Sequence, residues 1–126
     1  MSPATTLKTV VVELGMNHPG EIRTLIGIAE PEVRVWTNVG DAHIGHFGSP
    51  EAIADAKAEI IEQARPDDVL IANADDARVM NRTGQFPGRL VTFGINTDAD
   101  VRATGVKQKG VEGTEATVIT RHGDVS

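Results

Sequence analysis

The chain has 126 residues, the size of one domain or of a portion of a larger one, and at 40% hydrophobic and 24% charged its composition is that of an ordinary globular protein. A formal net charge of −6 disfavours a sequence-independent nucleic-acid binder, and the absence of cysteine excludes disulfides and thiolate metal sites. No apolar run approaches the roughly 20 residues of a membrane span, and the polar start Met1-Ser2-Pro3-Ala4-Thr5-Thr6 is no signal peptide, so the expected location is cytoplasmic.

Residues 9 to 95 alternate β-type runs with helical patterns, as βαβ units of a parallel sheet do. Val10-Val11-Val12 reads as a first strand buried on both faces. A helix is expected to open near His18, with Pro19 in its first turn and Ile22, Leu25, Ile26 and Ala29 on one stripe, and to stop at Pro31. Residues 33–39 predict a second strand, followed by a loop punctuated by Gly40, Gly45 and Gly48. Ser49-Pro50 is an N-cap and first-turn pair for a helix reaching about Ala64. Residues 68–72 predict a third strand, residues 77–82 a short helix and residues 89–93 a fourth strand. From about residue 98 the texture changes to two strands, 101–107 and 114–120, joined by a turn with Gly110 and Gly113. The expected fold is α/β: a mostly parallel sheet with helices on both faces and a small antiparallel hairpin at the end.

Ligands of open parallel sheets bind outside the carboxyl ends of the strands. Three expected strands end in polar residues, at Glu13, at Thr37-Asn38 leading to His43, and at Asn73-Ala74-Asp75-Asp76. Strand ends meet loops and loops are polar, so this convergence alone is also an ordinary structural feature. At 100° per residue, Ile53, Lys57, Ile60, Ile61 and Ala64 share one helix face, while Asp55, Glu59 and Glu62 fall elsewhere. A lysine inside an apolar stripe either lays its stem along the core with its charge in water or serves a site that keeps the amine neutral or modified. His43 and His46 in the glycine-bearing loop are candidate metal ligands and Glu13 a candidate oxygen donor; on spacing alone a loop histidine is more often structural than metal-binding. No Gly-x-x-x-x-Gly-Lys-Ser/Thr phosphate loop is present: Lys8, Lys57, Lys107 and Lys109 each follow a residue other than glycine.

The run Glu13-Leu14-Gly15-Met16-Asn17-His18-Pro19-Gly20-Glu21-Ile22 resembles the central domain of the Mur ligases. Thr37-Asn38-Val39-Gly40-Asp41-Ala42-His43, Phe47-Gly48-Ser49, Ala56-Lys57-Ala58-Glu59-Ile60 and Asn73-Ala74-Asp75-Asp76 recur in the family's order. The likeness is strongest to the MurF type, which adds D-alanyl-D-alanine to UDP-N-acetylmuramoyl-tripeptide in peptidoglycan synthesis. It covers roughly residues 10 to 94 closely and the terminal hairpin in outline. The resemblance implies ATP-dependent activation of a carboxylate as an acyl phosphate, followed by attack of an amine. It further implies that Lys57 is the lysine carboxylated by CO₂, that Glu13, His43 and the modified Lys57 hold Mg²⁺, and that Asn73 contacts the adenine of ATP. Asp76 lies beside that asparagine, and Asn38 orders the loop carrying His43. On this reading residues 1–126 are part of a central ATP-binding domain, with a small antiparallel subregion from about 98 to 126, and the isolated chain is inactive for want of the phosphate loop. Its partners in the full enzyme would be the UDP-muramoyl peptide and D-Ala-D-Ala, and an incomplete sheet edge would favour self-association. The alternatives are another amide ligase of the same superfamily, or a non-catalytic module that assembles with a partner chain.

Overall fold

The computed structural model describes residues 8–40, 44–121 and 123–125, of which 44, 46 and 123–125 are described by backbone only. Six strands form one sheet in sequence order: β1 (Val33–Trp36), β2 (Val69–Asn73), β3 (Arg89–Gly94), β4 (Val101–Gln108), β5 (Thr114–Thr120) and β6 (Gly123–Val125). β1 to β4 are parallel, with Val33 opposite Val69 and Val69 opposite Arg89. β5 and β6 add antiparallel strands at the far edge. The expected hairpin is thus continuous with the main sheet through β4, and it gains a third strand, β6. The β4–β5 register shifts between Thr104 and Lys107, where Gly105 has φ +60°.

The helices are α1 (Glu21–Ala29), α2 (Ile44–Phe47), α3 (Pro50–Lys57) and α4 (Ala77–Met80). They cover one face of the sheet. Strands that follow in order, joined by right-handed parallel crossovers, put every connecting helix on the same side. β1 shows the consequence: Arg34 and Trp36 are buried beneath the helices, whereas Val33 and Val35 lie more than half exposed on the open face. Helices on both faces would need a strand order that reverses direction, and the described strands do not reverse.

The expected first strand does not form. Val10, Val11 and Val12 belong to no strand, and Val11 is 93% exposed. A β-branched run becomes a strand only where a neighbour supplies a hydrogen-bond ladder and a surface to pack on, and the described sheet gives this run neither.

Two apolar clusters make the core. Met16, Ile22, Ile26, Ile53 and Ala56 join α1 to α3, with Leu14 and Phe47 packed against them. Trp36, Leu70, Ala72, Val79 and Phe86 join the sheet to α4. Val39 and Ile60 touch both. The helix expected to reach Ala64 changes character after Lys57, tightening into a 3₁₀ turn over Ala58–Ile61. That change of pitch turns Glu59 inward, against the expectation from a uniform 100° step.

Glu59 is 5% exposed and caps α1 from a distance. Gly20, the residue before α1, has φ +92° and no side chain to cap with. Glu59 instead accepts from Gly20 N at 2.9 Å and Arg23 N at 2.9 Å, satisfying orphan donors of the first turn. Glu59→Ala should cost about 1–3 kcal/mol, as for a buried hydrogen-bonded group removed from its donors. Urea unfolding checks this; a midpoint shift matching that of exposed Glu32→Ala would show that the cap contributes nothing.

Candidate functional site

The carboxyl ends of β1, β2 and β3 lie side by side because the three strands run parallel. At β1 the chain leaves through Thr37, Asn38 and Val39. Lys57, the last residue of α3, reaches back so that its Nζ donates to Asn38 O at 3.4 Å. It is half-buried rather than central to the core, because α3 ends there and the stripe does not continue through it. Ile53 is fully buried, while Ile60, Ile61 and Ala64 pack around the sheet cluster. Among the described residues Lys57 takes part in no ion pair.

At the end of β2, Asn73 Nδ2 donates to Thr37 O at 2.9 Å and its Oδ1 accepts from Asp75 N at 2.9 Å. One N–H and one acceptor direction of the amide stay available for a ligand. Asp76 is committed to structure: it is the N-cap of α4, accepting from Arg78 N and Val79 N, and its other oxygen accepts from Val39 N at 2.7 Å. It thereby ties the β1 exit to α4. Asn38 is exposed and takes part through its carbonyl. Glu13 is also exposed; its neighbour Leu14 packs on the same cluster as Ala56, the neighbour of Lys57. The structure therefore brings Asn38, Lys57, Asn73 and Asp76 to one sheet edge, with Glu13 anchored next to a shared cluster. His43 lies outside the described residues, as does the side chain of His46. No group of three His, Asp or Glu residues able to hold a metal occurs among the described residues.

Asp75 had no assigned role from sequence, and the structure gives it one. Its carboxylate accepts from Ile95 N at 2.7 Å, Asn96 N at 3.1 Å, Thr97 N at 2.9 Å and Thr97 Oγ1 at 2.6 Å. The Thr97 hydroxyl foremost, then the Ile95 amide and its neighbours, hold this carboxyl below its ordinary range. A carboxylate with a lowered folded-state pKa stabilises above its unfolded value and loses that contribution as pH falls through the folded one. The Ile95, Asn96 and Thr97 amide resonances should therefore stay fixed through the ordinary aspartate range and shift only at lower pH. Movement centred on the ordinary aspartate range would contradict the clamp. A shallow groove of about 550 Å³ runs along Thr92, Asp98, Arg102 and Ile119, and it contains the Arg121–Asp100 ion pair.

The Mur ligase middle domain family matches residues 2–126. The chain belongs to that family. It is 40% identical over 95 residues to the UDP-N-acetylmuramoyl-tripeptide--D-alanyl-D-alanine ligase of Synechocystis sp., a match covering 75% of this chain and 21% of the relative. Its fold is similar to MurF from Acinetobacter baumannii, with a TM-score of 0.78 and 29% identity over 88% of this chain and 24% of that one. It is also similar to MurF from Thermotoga maritima in complex with ADP, with a TM-score of 0.74 and 27% identity over 86% of this chain and 25% of that one. This Mur ligase chain thus spans about a fifth to a quarter of the relatives it matches. Among its described residues no helix is long and apolar enough to cross a membrane.

Proposed function

We propose that this Mur ligase chain is part of the central ATP-binding domain of a cytoplasmic ligase that joins D-alanyl-D-alanine to UDP-N-acetylmuramoyl-tripeptide. ATP would activate the tripeptide carboxylate as an acyl phosphate, and the dipeptide amine would displace phosphate to form the amide. The observation that carries this reading is the convergence of Lys57 and Asn73 on the β1 exit, in a chain whose matched relatives bear that activity in their names.

Lys57 would lose one proton to give the free amine, which adds to CO₂ with formation of an N–C bond and loss of a second proton, so that a cation becomes a carbamate anion. Its half-buried place and its lack of a carboxylate partner among the described residues fit that change. With Glu13 and His43 the carbamate would offer two carboxylate-type oxygen donors and one imidazole nitrogen, the oxygens being the donors Mg²⁺ prefers. When bound there, Mg²⁺ supplies charge stabilisation to the transferring phosphoryl group. Asn73 would meet the adenine with its spare amide functions, while Asp76 holds the turn and Asn38 holds Lys57.

A chimera tests this: residues 10–94 replace their counterpart in the Synechocystis ligase. D-Ala-D-Ala addition should persist and should fall at least roughly 10²-fold with Lys57→Ala, as for loss of a charge-stabilising group. A folded chimera whose activity ignores Lys57 would refute the assignment. The 126-residue chain alone should show no ATP turnover, since it holds no phosphate loop and positioning dominates phosphoryl transfer.

Self-association belongs to the same reading. Val33 and Val35 stand more than half exposed on β1, whose outer edge pairs with no strand among the described residues and is a template for pairing with a second copy. Light scattering over a concentration series should give masses above 13.4 kDa; that value throughout would refute it.

A further inference from the structure

We propose that Asp75 is a positioning residue that fixes the orientation of the Asn73 amide and so sets a preference for adenine over hypoxanthine bases. The proposal rests on the assignment of Asn73 to the nucleotide base and deepens it. Asp75 works in two directions. Its carboxylate grips three successive backbone N–H groups and the hydroxyl of the 95–97 loop. Its own N–H donates to Asn73 Oδ1, while Asn73 Nδ2 donates to Thr37 O. The turn is further pinned by Ala74 N donating to Phe93 O at 2.8 Å. Gly94 eases the approach, since a Cβ there would sit 3.0 Å from the Asp75 carboxylate and 3.1 Å from Thr97 Oγ1, tighter than ordinary contact.

An asparagine amide is nearly symmetric in shape and opposite in polarity at its two ends. Adenine offers an amino donor beside a ring-nitrogen acceptor, so an asparagine reads it with oxygen toward the amino group and nitrogen toward the ring. Hypoxanthine carries a carbonyl acceptor in place of that amino donor, so the asparagine oxygen would face another acceptor, and only on the edge bearing N1–H would a flipped amide pair with it. With Oδ1 held by Asp75 N and Nδ2 by Thr37 O, the flip would set donor against donor and acceptor against acceptor. Only one orientation is compatible with the clamp, so the remaining lone pair and N–H of Asn73 would present one fixed polarity to the base.

NMR titration of the 126-residue chain with adenosine and inosine monophosphates tests this, comparing wild type with Asp75→Asn, Thr97→Val and Asn73→Ala. Asp75→Asn should weaken adenosine monophosphate binding roughly five- to tenfold, about one hydrogen bond's worth, and move the adenosine-to-inosine ratio toward one. Thr97→Val removes only the 2.6 Å hydroxyl bond and should move the ratio in the same direction by less. It decides the matter if Asp75→Asn does not fold, as judged by Trp36 fluorescence. If Asn73→Ala weakens binding while the clamp variants keep both affinity and ratio, the positioning role falls and the base assignment stands. If wild type and Asn73→Ala are indistinguishable, the base assignment falls and takes the proposal with it.

Discussion

Arg34→Ala should destabilise the chain by about 3–5 kcal/mol, the range for breaking a buried ion pair by removing one partner. Arg34 is 3% exposed at the start of β1, beneath the 3₁₀ turn that follows α3. Its guanidinium donates to the carbonyls of Ile60, at 3.0 Å, and Glu62, and at longer range to Gln63 O and Asp68 Oδ2, at 3.4 and 3.5 Å. Those carbonyls end a helical segment and have few intrahelical partners. Truncation would leave them and a 4% exposed Asp68 side chain without their main cation, although Arg65 N still donates to Asp68 at 2.8 Å. Arg34→Lys should recover part of the loss, because an ammonium keeps the charge but lacks the planar fork. Urea unfolding followed by the fluorescence of Trp36, the only tryptophan, provides the measurement. A loss below about 1 kcal/mol for Arg34→Ala would mean that water substitutes for the guanidinium and that this cap is dispensable.

Gly88→Ala is expected to cost about 3 kcal/mol or more, at or above the top of the usual overpacking range. A Cβ at this position would lie 2.0 Å from the Asp68 carbonyl oxygen and 2.8 Å from Phe86 Cε2. The carbonyl cannot retreat freely, because it accepts from Arg89 N at 2.9 Å at the start of the β2–β3 ladder. Relief must therefore come from separating two strands or displacing Phe86 from the core. Gly84 is the control: nothing lies within 4 Å of its notional Cβ, so Gly84→Ala should change stability by no more than about 0.5 kcal/mol. Equal midpoints for the two variants would sink the steric account.

Much of the candidate site was legible before the fold was known. The Asn73-Ala74-Asp75-Asp76 run stands where a parallel strand ends, and strand direction alone brings such ends to one edge. Lys57 stood out as a charge on an apolar stripe, and it does reach the β1 exit. The roles of the adjacent aspartates were not legible. Asp75 and Asp76 have identical side chains, yet one clamps the 95–97 loop and the other caps α4. The cap is local, two and three residues away, but the Asp76 bond to Val39 N and the Asp75 bond to Ile95 N span 37 and 20 residues, beyond the reach of local pattern.

Local chemistry by itself determined where most strands lie and where α3 and α4 begin. The Ser49-Pro50 start of α3, with Ser49 accepting from Ala52 N, and the strands β1 to β5 follow from capping, β-branching and turn residues that act within a few positions. Tertiary structure decided the rest. Val10–Val12 has the composition of a strand, but composition cannot supply the neighbouring ladder that a strand requires. Glu59 has the sequence of a solvated helix residue; the change to 3₁₀ pitch after Lys57 and the uncapped start of α1 draw it inside. Arg34 is buried while its valine neighbours face outward, because the order of strands chose which side of β1 the helices would cover. Each of these outcomes depends on donors and surfaces brought together by strands and helices distant in sequence, where a residue's own preference is small beside the cost of an unpaired buried group.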